Sequence, residues 1–374
     1  MINEKRLLDE FMEIVQIASE TKFEAKMAKA MKKKLTDLGL EVFEDDTASK
    51  TKHEAGNVFG FLKGNTPGAA PIMFNAHMDT VSPGVGIKPS VKDGWIVPDG
   101  TTILGGDDKA GVVSILEAIR VVKEKNLPHG DIQVIFTAGE ESGLAGARAL
   151  DPKHLKGKYG FSLDTGGKVG NAKTQAPSRC AVTAEIHGKS AHAGVAPETG
   201  VSAIQIAAKA IANMPLGRID SETTANIGVI QGDAPLNVVC DHVLVKAEAR
   251  STDKDKLEVQ LKAMKDAFEK AAKEMGGKAE VSVEVFYKSF KLSDDEPIVD
   301  IVKKAAAKIG RPCKTSMGGG GSDGNIFNGH GMPTVVLAIG YENCHTKEEK
   351  QSVEELNKSA EMVLAVISEV ASRK

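Results

Sequence analysis

The chain lacks the features that mark a disulfide-built, nucleic-acid-binding or membrane protein. It has no CxxC pair, and its four cysteines, Cys180, Cys240, Cys313 and Cys344, are scattered. That argues against a disulfide framework and for free thiols in a reducing compartment. Neither charge dominates: 48 Lys and Arg stand against 51 Asp and Glu, a net charge of −3. No basic surface for nucleic acid or anionic lipid is expected from such a balance. Short basic stretches such as residues 32–34 sit inside amphipathic helical patterns and read as solvated faces. No apolar run approaches the roughly 20 residues of a membrane span. Residues 1–11 lack the apolar core of a signal peptide, and there is no repeat or low-complexity tract. These absences leave a cytoplasmic enzyme or binding protein with no nucleic-acid or membrane partner.

What is present is a long chain with alternating helix and strand patterns. Its 374 residues, 41% of them hydrophobic, suffice for two domains or one domain with a large insert. Residues 4–18 and 24–38 read as amphipathic helices, with Gly39 as a terminator. Residues 57–63 and 71–75 read as strands and 110–125 as a helix. Residues 132–137 and 160–163 are short apolar runs, the pattern of strands covered on both faces. The pattern then changes. Strands at 180–187, 224–231, 238–248 and 279–286, with helices at 201–213 and 253–275, follow the order β-α-β-β-α-β of a ferredoxin-like unit. Linker-like stretches at 166–178 and 292–297 flank it. Helix, strand and helix resume at 297–309, 334–339 and 353–371. The expected architecture is an α/β catalytic domain, residues 1–177 and 292–374, interrupted by an α+β insert at 178–291.

Ligands in open α/β sheets bind beyond the carboxyl ends of the strands. His77 and Asp79 follow the 71–75 strand. Glu140 and Glu141 follow 132–137, Asp164 follows 160–163, and Glu342 and His345 follow 334–339. Asp107 and Asp108 precede the helix at 110–125. Each has an ordinary explanation taken alone: helix cap, first-turn acid, loop histidine. Five segments bringing His or carboxylate to one sheet edge is a different matter. Clustered carboxylates repel, and a cation is the natural counter-charge. Two imidazoles with several carboxylates and no thiolate motif suit zinc, cobalt or manganese. The carboxylates outnumber what one tetrahedral zinc takes, so two metals are expected.

Other motifs fail. His53-Glu54 would open HExxH, but the partner position is Asn57. His187-Gly188-Lys189-Ser190 lacks the upstream glycine of a P-loop, since position 183 is Thr. Residues 320–324 match GxSxG around Ser322, but a glycine run precedes it where a nucleophile elbow needs a strong strand. A serine hydrolase using Ser322 and a non-catalytic metal-binding dimer are the rival readings.

His77-Met78-Asp79, Gly106-Asp107-Asp108-Lys109-Ala110-Gly111, Gly139-Glu140-Glu141 and His345 together resemble the di-zinc peptidase family of peptidase T, carboxypeptidase G2 and the aminoacylases. The resemblance spans almost the whole chain, and the GDDKAG and GGSDG elements look most like the peptidase T (tripeptidase) branch. It implies two zinc ions held by His77, Asp107, Glu141, Asp164 and His345, with Asp107 bridging. It implies Asp79 as the residue orienting His77, Glu140 as general base and His192 as oxyanion stabiliser. Asn226, Arg250, Gly319 and Asp323 fall at substrate-side positions. The branch has Arg where this chain has Gly319, which weakens the transfer of strict tripeptide specificity, and residues 318–321 are expected instead to offer backbone amides to an anionic group. The implied activity is metal-dependent hydrolysis of short peptides, with N-acyl amino acid hydrolysis or carboxypeptidase action as alternatives. A homodimer through the inserted domain is also implied.

Overall fold

The unbroken apolar runs of the sequence lie side by side in one sheet. The computed structural model describes residues 1–373 and divides into two compact units. One comprises Met1–Gln175, Leu292–Gly318 and the segment from Ser322 onward; the other comprises Ala176–Lys291 and Gly319–Gly321. The first unit opens with helices α1 (Glu4–Val15) and α2 (Ala25–Asp37). The Asn3 side chain caps α1 by accepting from the Arg6 amide, and Leu7, Phe11 and Ile14 bury one stripe of it. Strands β1 (Glu41–Glu44), β2 (Val58–Leu62) and β3 (Ile72–His77) follow. Then come helix α3 (Gly106–Glu124) and strands β4 (Ile132–Thr137), β5 (Tyr159–Thr165) and β6 (Ala172–Ala176).

The second unit is the ferredoxin-like order expected. Strand β7 (Ser178–His187), helix α4 (Ala203–Ala212), strands β8 (Thr223–Gln231) and β9 (His242–Ser251), helix α5 (Lys254–Glu274) and strand β10 (Lys278–Tyr287) form it. The spatial order is β8-β9-β7-β10, all antiparallel. Alternate residues of β7, including Val182, Ala184 and Ile186, are buried in a core shared with Ile206 of α4 and Met264 and Phe268 of α5. The strand expected at 238–248 starts four residues later, at His242. Val238 instead closes a turn, its amide donating to the Pro235 carbonyl at 2.9 Å.

The chain returns to the first unit through α6 (Pro297–Lys308), α7 (Asp323–Gly329), β11 (Thr334–Ala338) and α8 (Val353–Ala371). Its sheet runs β1-β2-β4-β3-β5-β11-β6. Strand β3 pairs in parallel with β4 and β5, and β11 in parallel with β5. Every residue of β3, β4 and β11 is buried, as parallel strands covered on both faces require. Helix α3 is buried on nearly all sides between Gly106 and Ile119 and contacts β3, α1 and α8. It reaches β5 closely because residue 111 is glycine: a Cβ there would lie 2.6 Å from the Leu163 carbonyl oxygen.

Two expectations about strand ends change. His77 and Asp164 lie inside β3 and β5 rather than beyond them, because the parallel ladder continues to His77↔Thr137 and Thr165↔Ala338. A small sheet with no counterpart among the expected elements links Tyr341–Glu342, Lys350–Ser352, Trp95–Val97 and Ser90–Lys92. Strands of two or three residues carry no readable period. Among the described residues no helix is long and apolar enough to cross a membrane.

Candidate active site

The four parallel strands end on one edge, and the side chains at those ends converge. His77 is the last residue of β3. Asp164 is near the end of β5, and Glu140 and Glu141 stand on the turn after β4. Asp107 and Asp108 open α3 with non-helical backbone, φ −80° and ψ 101° at Asp107, so the regular helix starts beyond them. His345, at φ 64°, lies in the loop between the two short strands Tyr341–Glu342 and Lys350–Ser352.

Asp107 is the hub. Its Oδ1 is 3.3 Å from His77 Nε2 and its Oδ2 is 3.4 Å from His345 Nε2. The two histidines thus address different oxygens of one carboxylate. Asp164 Oδ1 stands 3.9 Å from His77 Nε2, and Glu141 Oε1 2.8 Å from His345 Nε2. His77, Asp107 and Asp164 each place one donor atom within 4.8 Å of the others; so do Asp107, Cys344 and His345, and His77, Glu140 and Glu141.

The electrostatics are those of a site short of positive charge. Burial and the neighbouring carboxylates push Asp108, Asp164 and Glu140 well above the usual carboxylate range. Burial opposes a charge on His77, but Asp107 and Asp79 outweigh it and raise the imidazole well above its ordinary value. Hydrogen bonds to Asp107 and Glu141 raise His345 to about 10. Burial would raise Asp107 too, yet His345 and His77 together hold it below the usual range. Five acids, Asp107, Asp108, Glu140, Glu141 and Asp164, face two imidazoles. Oδ1 of Asp108 is buried with no hydrogen-bond partner. The donor set, imidazole and carboxylate around one shared acid, fits a pair of divalent ions.

Supporting contacts differ in part from expectation. The His77 Nδ1 contact is to the backbone carbonyl of Asp79 at 2.9 Å, with the Asp79 carboxylate at 3.5 Å. That carboxylate, fully buried, accepts from the amides of Glu140 and Glu141 at 2.9 and 3.2 Å. Asp79 therefore holds the turn that carries both glutamates as well as the histidine.

Three supporting residues have no signal in the sequence that sets them apart. Glu349 accepts from the amides of Leu104, Gly105 and Asp107 at 2.9, 2.8 and 3.0 Å, and burial raises it to about 7. It fastens the loop that presents Asp107. In sequence it is one acid among Lys347-Glu348-Glu349-Lys350. The others are Glu24 and His53. His53 Nδ1 lies 2.7 Å from Glu24 Oε1, and its Nε2 3.3 Å from Ser142 Oγ, which in turn donates to the Gly139 carbonyl at 3.1 Å. The ring packs where residue 139 has no side chain: at φ +66°, a Cβ there would lie 2.2 Å from His53 Cε1. His53 and Asp79 therefore grip the Gly139–Ser142 turn from two sides. The nearest thing to a signal was His53-Glu54, which fails as an HExxH motif.

Asp323 is corrected. It is 1% exposed, and its Oδ2 accepts from Thr137 Oγ1 at 2.5 Å and faces Asn75 Nδ2 at 3.5 Å. Ser162 Oγ donates to Asn75 Oδ1 at 2.6 Å. A carboxyl enclosed in that network beneath the site offers no surface to substrate. The serine-hydrolase reading also loses its premise. Ser322 is the N-cap of the short helix α7 in a capping box with Asn325, and it is preceded only by the three-residue strand Thr315–Met317.

The remaining residues lie in the second unit. His192 is exposed, and its Nδ1 accepts from the Gly194 amide at 3.1 Å. Asn226 is exposed on β8. Arg250 is bound to Glu248 through Nε at 2.8 Å and Nη2 at 3.2 Å, with Nη1 3.5 Å from the Gly319 carbonyl. Of the amides at 318–321, two have partners within the protein: Gly318 N donates to Gln175 O at 2.7 Å and Gly321 N to Tyr287 Oη at 3.0 Å.

The aminopeptidase PepT structure of Bacillus cereus is 60% identical to this chain, with a TM-score of 0.94, and covers 99% of this chain and 100% of its own. A tripeptidase structure from Staphylococcus aureus is 46% identical, TM-score 0.96, over 100% of both chains. Peptidase T of Fusobacterium nucleatum is 27% identical over 94% of this chain and 92% of its own. Peptidase family M20/M25/M40 matches residues 73–369. The chain belongs to that family, and through it to the peptide hydrolases. Among its structural neighbours at substantial identity are a PepT aminopeptidase and a tripeptidase.

Proposed function

We propose that this protein hydrolyses short peptides, tripeptides foremost, with release of the N-terminal residue, at a two-metal centre formed by His77, Asp107, Asp164, Glu141 and His345. The observation that carries the reading is the Asp107 carboxylate with a different histidine Nε2 at each oxygen. Asp107 would bridge the two ions, His77 and Asp164 would complete one site, and Glu141 and His345 the other. When bound, two divalent ions, zinc before cobalt or manganese, supply Lewis acidity to water and to the scissile carbonyl. Glu140 takes the proton of the attacking water and returns it to the leaving amine. Burial and the surrounding carboxylates raise its proton affinity. Asp79 keeps Glu140 and Glu141 in place through their amides. His192 stabilises the oxyanion, and Asn226 and Arg250 hold the substrate. The substrate preference is supported by the PepT and tripeptidase relatives.

The inserted unit, expected at 178–291, serves as lid and pairs two copies. Beyond Ala225, β8 is a sheet edge with Val229 and Ile230 41% and 53% exposed, and such an edge is a template for pairing.

The test is a hydrolysis panel after chelation and reconstitution with zinc, cobalt or manganese. Tripeptides with a free amino terminus should be cut only with metal, and N-acetylated versions of the same peptides much more slowly. Turnover that survives chelator and yields to serine-acylating reagents overturns the proposal.

A further inference from the structure

The outer face of the second unit's sheet carries a cluster that the peptidase centre does not use. Glu185 and His187 lie two residues apart on β7 and so point to the same face. His242, the first residue of β9, is the register partner of His187. His242 Nε2 is 3.2 Å from Glu185 Oε2, and the rings of His187 and His242 are 5.2 Å apart between centroids. One donor atom from each residue lies within 4.8 Å of the others. From these positions we infer that Glu185, His187 and His242 form a second, independent metal site that takes zinc.

Tetrahedral zinc with bonds of about 2.0–2.1 Å places its donors roughly 3.3–3.5 Å apart. The Glu185–His242 pair, at 3.2 Å, is close to that spacing, and the His187 donor lies within 4.8 Å of both. The strands beneath are held firmly. Ala184, Ile186, Val243 and Val245, on the opposite face of the same strands, are all 0% exposed in the core. His242 and Glu185 are each 51% exposed in their side chains, so little burial opposes an ion. One cation stands near: Lys278 is the register partner of His187 on the other side, and its ammonium is paired with Glu280 at 2.5 Å. Two imidazoles and one carboxylate favour zinc, copper or nickel over magnesium or calcium. The fourth position is left to water or to a donor from another molecule. An ion here would clip β7 to β9 across the end of the sheet.

Equilibrium dialysis of the full chain against zinc, at tens of micromolar free ion and neutral pH, tests the site. Wild type should hold one equivalent more than His242→Ala and one more than His187→Ala. Circular dichroism identical to wild type would establish that the variants fold. Equal zinc content in all three proteins overturns the inference. If either alanine variant misfolds, the asparagine replacement at the same position is read in its place. The measurement is a difference between proteins that share the Asp107 centre, so the number of ions there does not affect it.

Discussion

Glu140 and His53 both serve the same turn, but through different physics. Glu140 is the group assigned to move a proton, and a glutamine keeps its shape while losing that capacity. Glu140→Gln is expected to keep its metal content and lose turnover by at least about 100-fold, the usual worth of a positioned base. Metal analysis beside kcat checks this; near-normal turnover would remove Glu140 from the proposed mechanism. His53 touches the turn through Gly139 and Ser142. His53→Ala is expected to lower kcat by about tenfold, as loss of a supporting contact does, with KM little changed. A change confined to KM would show that His53 acts on substrate binding instead. The two residues were not equally legible. Glu140 sits in Gly139-Glu140-Glu141, directly after an apolar strand. His53 depends on Glu24, 29 positions away, and no local pattern encodes that partnership.

Strands and loops divide the labour. The parallel strands fix His77 and Asp164, and their apolar runs made them readable. The loops and short strands fix Asp107 and His345, and there a single glutamate has an outsized role. Glu349 is nearly fully buried and satisfies three backbone amides at once. One oxygen accepts from Leu104 and Gly105 and the other from Asp107, so a glutamine would turn its NH2 group toward at least one of those donors. Glu349→Gln is expected to cost about 1–3 kcal/mol of stability, the range for buried donors left unsatisfied, and to loosen metal binding through the freed Asp107 loop. Urea unfolding of the chelated proteins reads the first effect and zinc titration the second. A variant as stable as wild type would mean that the loop is held by other contacts.

Across the whole protein, the balance between burial and charge sets what metal removal does. Five acids gathered around two imidazoles repel one another, and ions that bind only the folded state stabilise it by mass action. Chelator should lower the melting temperature by several degrees, and added zinc should restore it along with activity. Magnesium should restore neither, since imidazole donors favour the later transition ions. An unchanged melting temperature after verified metal loss would show that the repulsion is already relieved by protonation.

The sequence alone determined the alternation of buried strands and amphipathic helices, the change to β-α-β-β-α-β in the middle of the chain, and the acids and histidines at strand ends. Those properties are local: burial imposes a period, and a strand end shows as polar residues directly after an apolar run. Only the tertiary structure decided that His77 and His345, which lie 268 positions apart, face different oxygens of Asp107, a sharing that the family resemblance implied but no local pattern could place. It also decided that Asp323 faces Thr137 instead of solvent, and that Glu349 and His53 brace the site. The reason is the same in each case. A hydrogen bond or a bridging carboxylate needs a second partner at a fixed distance, and that distance comes from the packing of elements remote in the chain.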